Sequence, residues 1–262
     1  MPRMFIFGLG YSAKRIAARL DDTGWEVVST GRDGTLAFDD HGTVRMALAD
    51  ASHVLSSVPP GGEGVDSVLE TYGDALAGKW LGYLSSTGVY GDTGGAWVDE
   101  SAPTGTGRRS ARSVCDLSWL SLGALAFRLP GIYGPGRSML DRIREGKARR
   151  IDMPDQVFSR VHVDDIASGV IAAIESGAPP GAYNLADDLP CSQNRLVEEA
   201  CRLLGAPSPS LQSLDEAGLS PQGRAFYGEN RRVANGKAKR ILGWRPEYPD
   251  YVAGLRSLLA AP

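Results

Sequence analysis

A chain of 262 residues, 42% hydrophobic and 23% charged, is long enough to bury one large core or a domain with an attached lobe. Its net charge of −3 excludes a general nucleic-acid binder, which needs a basic face against phosphates. Three cysteines without Cys-x-x-Cys spacing and three scattered histidines exclude a disulfide framework and a metal site.

The N-terminal apolar run is interrupted by Gly8 and Gly10 and is too short for a signal peptide. No later run reaches the length of a membrane span, so a cytoplasmic protein without membrane contact is expected. Short β-rich runs then alternate with helix-period segments, the pattern of parallel strands joined by crossover helices. Strands are expected at Arg3–Gly8, Trp25–Thr30, Ser52–Val58, Trp80–Thr87 and Ala124–Leu129. Helices are expected after Ser12 and over the segment from Gly64 to Gly78. Beyond Pro130, Ser138 reads as the cap of a helix starting at Met139, and Asp164 as the cap of the next one. Ser192 and Gly205 read as the cap and stop of another helix. The C-terminal stretch reads as two short helices broken at Gly243 and Pro246. Basic runs such as Arg142–Arg150 and Asn230–Arg240 read as solvated helix faces.

Gly8, Gly10 and Ala13 stand in the order G-x-G-x-x-A between the first strand and the first helix. There the first glycine permits a tight turn, the second lets backbone approach a pyrophosphate, and the small third residue lets helix and strand pack closely. Tyr11 and Ser12 complete the loop, whose free N–H groups favour phosphate. The second strand ends Ser29-Thr30-Gly31-Arg32, without the acidic residue that accepts from the ribose of NAD. Arg32, beside Thr30, suits a 2′-phosphate, so NADP is the expected cofactor and NAD the alternative.

From "YLSSTGVYGD" (83–92) onward the chain resembles the extended and atypical short-chain dehydrogenase/reductases, the NAD-dependent epimerase/dehydratase group. "FRLPGIYGPG" (127–136), "SRVHVDDIA" (159–167) and "LGWRPEY" (242–248) carry the same resemblance. It implies an α/β fold, a doubly wound parallel sheet in three layers (Rossmann), with a smaller C-terminal substrate lobe. The expected division is 1–133 and 157–187 for the dinucleotide, and 134–156 and 188–262 for the lobe. It implies Ser86 as the hydroxyl that steadies a substrate oxygen, with Thr87 beside it as the second candidate catalytic residue. It places Val58 and Pro59 beside the cofactor and Pro130 and Ile132 near the nicotinamide.

The resemblance also implies a Tyr-x-x-x-Lys element on the helix after Ser86, and this chain lacks it. Without insertions the tyrosine falls on Ala111 and the lysine on Cys115, neither of which can do the work. Arg108, Arg109 and Arg112 could lend positive charge there, although solvation on the helix surface is the expected fate. His162 reads as a hydrogen-bonded structural residue, and a Ser86–His162–Asp triad lacks a nucleophile-elbow context.

Tyr90, Tyr133, Arg137, Arg160 and Phe226 are the expected substrate contacts, the arginines as anion clamps and the aromatics as stacking or packing groups. Two functions follow. One is an NADP-dependent oxidoreductase or epimerase acting on a small carbohydrate-like or nucleotide-sugar substrate, with a homodimer as the candidate assembly. The other is a catalytically inactive nucleotide-binding sensor.

Overall fold

The computed structural model describes residues 1–105 and 110–260. In chain order the first half contains β1 (Arg3–Phe7), α1 (Tyr11–Asp22), β2 (Glu26–Ser29), α2 (His41–Asp50), β3 (His53–Ser56), α3 (Ser67–Tyr72), β4 (Trp80–Ser86) and β5 (Trp97–Val98). There follow α4 (Ser110–Ser121), β6 (Leu125–Leu129), β7 (Gly131–Tyr133), α5 (Met139–Arg144), β8 (Arg150–Ile151), β9 (Arg160–His162), α6 (Val163–Glu175) and β10 (Gly181–Asn184). The chain ends with α7 (Gln193–Leu204), β11 (Leu211–Gln212), α8 (Pro221–Phe226), β12 (Arg232–Val233), α9 (Gly236–Ile241) and α10 (Tyr251–Ala260).

Six strands form one parallel sheet in the order β2-β1-β3-β4-β6-β10. The order reverses between β1 and β3, which opens a crevice at the carboxyl ends of those strands. Side chains alternate across a strand. Met4 and Ile6 therefore pack under α1 and α6, while Phe5 and Phe7 pack under α2, α3 and α4. Burial on both faces explains the unbroken apolar runs of the sequence. A separate apolar cluster joins α5, α7 and α10 through Leu140, Val197, Ala200 and Leu255. Two short pairs, β7 with β9 and β5 with β12, lie outside the six-stranded sheet.

Several expectations are met at the helix ends. Ser138 forms a reciprocal capping box with Asp141, Ser192 accepts from the Arg195 N–H, and Gly205 takes the left-handed conformation. Others need correction. Asp164 does not cap α6, because His162 does: its Nδ1 accepts from the Asp164 N–H at 3.3 Å. The helix expected across residues 64–78 stops at Tyr72, where Gly73 leads into a single tighter turn. α2 was not expected. Asp40 caps it, but only Val44 and Leu48 form its buried stripe, too little for a periodic signal.

The sheet end is locked by a buried ionic network. Arg128 on β6 donates to both carboxylate oxygens of Asp116 on α4, at 3.2 and 2.7 Å. Ser85 on β4 donates to the same carboxylate. Arg128 also donates to the Tyr90 hydroxyl at 3.0 Å, which donates onward to Asn184 on β10 at 2.8 Å. Arg128 is 3% exposed and Asp116 0%. Removing one partner of such a pair strands a charge in the interior. Asp116→Ala is therefore expected to lose about 3–5 kcal/mol in urea unfolding. Arg45→Ala, which removes the exposed Arg45–Asp74 pair and a surface hydrogen bond to the Thr71 carbonyl, should move the midpoint far less.

Asp187, just beyond β10, is 2% exposed, and neither carboxylate oxygen has a hydrogen-bond partner among the described residues. Burial pushes its carboxyl up to about 8, with Arg160 acting in the opposite direction. The unfolded value is near 4. The folded chain therefore holds that proton more tightly between about pH 4 and 8, and stability falls as pH rises through that window. Asp187→Asn should match the wild type near pH 3 and exceed its unfolding midpoint by a growing margin from pH 5 to pH 8. Parallel curves for the two proteins would contradict the assignment.

Candidate active site

The crevice at the strand ends is a cleft of about 470 Å³. Its floor begins at the turn from β1 into α1. Gly8 has φ +81°, and its carbonyl accepts from the Gly10 N–H at 2.8 Å and from the Ser57 hydroxyl. Gly8 thus meets a backbone demand. Gly10 does not: its φ is −88°, which any residue adopts, and apart from its chain neighbours no described residue lies within 4 Å of where a Cβ would stand. The space it leaves opens into the cleft, where Tyr11, Ser12 and Ala13 begin α1 without a side-chain cap. Those exposed N–H groups and the helix dipole favour an anion. The geometry therefore fits a diphosphate.

The remaining residues expected at the cofactor divide into four groups. Pro130 and Ile132 line the cleft, continuing the wall beyond β6. Thr30 is buried, and its hydroxyl accepts from the Gly8 N–H at 3.2 Å, so it braces the loop instead of facing a ligand. Val58 packs against Gly8, Pro59 is exposed, and neither lines the cleft; Ser57, one residue earlier, does. Arg32 is exposed on the loop after β2, outside the cleft and next to Asp33, whose carboxylate pairs with Lys14 at 2.5 Å.

Ser86 and Thr87 both line the cleft at the end of β4. The Ser86 oxygen accepts from the Gly88 N–H at 3.1 Å, which leaves its own O–H free to donate outward. Arg108 and Arg109 lie outside the described residues. Arg112, on the first turn of α4, does line the cleft and is not simply a solvated surface residue. Cys115 is fully buried, donates to the Gly64 carbonyl, and is pushed up to about 11 by burial, so it is a neutral thiol.

The expected substrate contacts fare unevenly. Arg137 and Phe226 line the cleft. Arg137 lies over the Tyr11 ring at 5.6 Å, and Phe226 stacks on Phe158 at 4.2 Å while remaining 40% exposed. Tyr90 is a correction: it is 2% exposed and its hydroxyl serves the Arg128 network, away from the cleft. Tyr133 and Arg160 line an adjoining groove of about 370 Å³. The Arg160 guanidinium is already committed to the Phe158 and Cys191 carbonyls, the Cys191 sulfur and Gln193, so it is no open clamp. His162 sits between Tyr133 and Tyr248, and burial lowers it to about 4, leaving it neutral near pH 7.

Glu229 and Arg231 complete the opposite wall and were missed, because the loop before β12 carries no periodic signal. Arg231 donates to Glu229 at 2.9 Å and to the Gly91 carbonyl at 2.5 Å, which ties this wall to the turn after Ser86. Among the described residues no three His, Cys, Asp or Glu side chains could together hold a metal ion, and no helix is long and apolar enough to cross a membrane.

No family model matches the chain. A 3-diazoavenalumate denitrifying reductase from a Streptomyces species is 30% identical over 161 residues, 56% of this chain and 52% of that protein. The match thus spans about half the length of the curated relative. Human epimerase family protein SDR39U1, solved with NADPH, superposes with a TM-score of 0.80 at 16% identity, covering 99% of this chain and 100% of that one. dTDP-glucose 4,6-dehydratase from Bacillus anthracis, in complex with NAD, gives 0.79 at 15% identity, covering 99% of this chain and 96% of that one. A conserved protein of unknown function from Silicibacter pomeroyi gives a TM-score of 0.87 at 37% identity, with 99% of each chain covered. The chain therefore has the Rossmann-like fold of the NAD(P)-binding epimerase and dehydratase structures, and belongs to one family with the Silicibacter pomeroyi protein.

Proposed function

We propose that this chain is an NADP(H)-dependent oxidoreductase that reduces a small organic substrate. The observation that carries the reading is Gly10, whose missing side chain keeps a space clear at the start of α1 that no described residue fills. In this reading segments 1–133 and 157–187 hold the dinucleotide, and 134–156 with 188–262 form the substrate lobe. Gly10, Tyr11, Ser12 and Ala13 cradle the diphosphate, Pro130 and Ile132 flank the nicotinamide, and Arg32, exposed and without an ion pair among the described residues, meets the 2′-phosphate. When bound, the dinucleotide supplies a hydride.

The chain's own residues offer the substrate a hydroxyl from Ser86 and positive charge from Arg112, but α4 offers the cleft no proton donor at positions 111 and 115, and its Asp116 is bound to Arg128. Ala111 has no proton to give, and the buried Cys115 thiol stays neutral. A positioned general acid typically contributes about 10²–10⁴-fold. A site to which α4 supplies none suits substrates whose reduction needs no proton from that helix, either because solvent supplies it or because the acceptor carbon loses a leaving group. The diazo compound in the name of the Streptomyces reductase has such a leaving group, nitrogen, which supports this reading over nucleotide-sugar epimerisation.

Titration of the purified chain with NADPH, followed by fluorescence, should give saturable binding. Gly10→Val should abolish it by filling the cradle, and Arg32→Ala should weaken NADPH by about tenfold or more while leaving NADH little changed. Equal affinity for both dinucleotides in the wild type would remove the 2′-phosphate assignment.

NADPH oxidation against a panel of aromatic ketones, enals and diazo compounds should find a substrate for which Ser86→Ala lowers kcat by about 10²-fold without altering NADPH affinity. Dinucleotide binding with no turnover across the panel, accompanied by dinucleotide-dependent capture of a protein partner, would favour the sensor.

A further inference from the structure

Among the described residues three guanidinium groups line the cleft, those of Arg112, Arg137 and Arg231, against one carboxylate, Glu229. Arg231 is held by that carboxylate and by Gly91. Arg137 stands over Tyr11 at the glycine loop, the diphosphate end. Arg112 has neither an ion pair nor a hydrogen bond among the described residues.

Its position follows from α4. Arg112 and Asp116 are four residues apart and share a helix face. Asp116 bonds Ser85, which places that face against the end of β4. One turn toward the N-terminus, Arg112 therefore stands beside Ser86 and Thr87, with which it lines the cleft. A cation in the first turn of a helix sits at the unfavourable end of its dipole, and no acidic residue in that turn compensates. Stability gives no reason for arginine here. An incoming anion does, since it would receive both the guanidinium fork and the helix field.

Extending the oxidoreductase reading, on which this rests, we propose that Arg112 recognises a carboxylate on the substrate, and that the Phe158–Phe226 pair receives the substrate's planar apolar body. Phe226 lies flat on Phe158, with rings 11° from parallel, and its exposure leaves aromatic surface in the cleft wall. Such surface takes a flat ligand by stacking. The substrate class is an aromatic or conjugated carboxylic acid.

The test is calorimetry with trans-cinnamate and its neutral amide, cinnamamide, with and without saturating NADP⁺. Wild type should bind cinnamate at least about tenfold more tightly than cinnamamide. Arg112→Ala should bind the two equally, with NADPH affinity and unfolding midpoint unchanged, and Arg112→Lys should recover part of the preference. No preference in the wild type, or an undiminished preference in a folded Arg112→Ala protein, overturns the proposal. Failure of the wild type to bind NADPH removes the oxidoreductase reading instead, and the arm without NADP⁺ then still reads the carboxylate preference by itself.

Discussion

The Arg128–Asp116 ion pair is the constraint on which the cleft depends. Two charges deep between a sheet and a helix are tolerated only when every donor and acceptor is met in good geometry. Ser85 and Tyr90 meet those left over, and Asn184 receives the Tyr90 hydroxyl. The network therefore fastens β4, β6, β10, α4 and the turn after Ser86 at one level of the sheet. A helix held only by apolar contacts could rotate by several degrees at little cost. One held by a bidentate carboxylate cannot. The rotation of α4 is thereby set, and with it which residues of its first turn face the cleft.

The opposite side of the cleft is held by smaller polar ties. Thr30 braces the Gly8 N–H, the Leu9 N–H reaches the Thr30 carbonyl at 2.8 Å, and Ser57 secures the Gly8 carbonyl. With two ties from the residue after β2 and one from the residue after β3, the loop is shaped before any ligand arrives. Preorganisation of this kind lowers the entropy lost when a ligand is bound. It also separates the two glycines by purpose, since Gly8 relieves the backbone while Gly10 clears a path from outside.

Much of this was legible in the sequence. The strands of the sheet announced themselves because burial on both faces forces continuous apolar runs, and the glycine loop because its spacing has a geometric reason. Inward polar residues were harder. Tyr90, Thr30 and Arg160 are polar side chains near the cleft in sequence, and each proved to be committed to partners that lie far along the chain or on another strand. No local pattern reveals a bond between residues 90 and 184. Arg112 was obscured for a different reason. The expected tyrosine and lysine positions, 111 and 115, drew attention to a helix face occupied by alanine and cysteine. The pair that meets the end of β4 is 112 and 116, displaced by one residue, about 100° around the helix.

Arg160 and Arg112 show how the same side chain acquires opposite roles. Arg160 has protein acceptors at 3.0–3.1 Å on two strand ends and a helix start, so its burial leaves little unsatisfied and it works as a clasp between β9 and the start of α7. Arg112 has none of these, yet it is half-buried at the end of a sheet and beside a hydroxyl with a free proton. Buried polar groups in folded proteins are nearly always bonded. A guanidinium at the wall of a cleft with no acceptor among the described residues is open to what enters the cleft, which is the ground of the carboxylate recognition proposed above. The residues that resemblance leads one to seek on α4 would handle a proton; the residue found there, on the reading proposed above, would handle a charge.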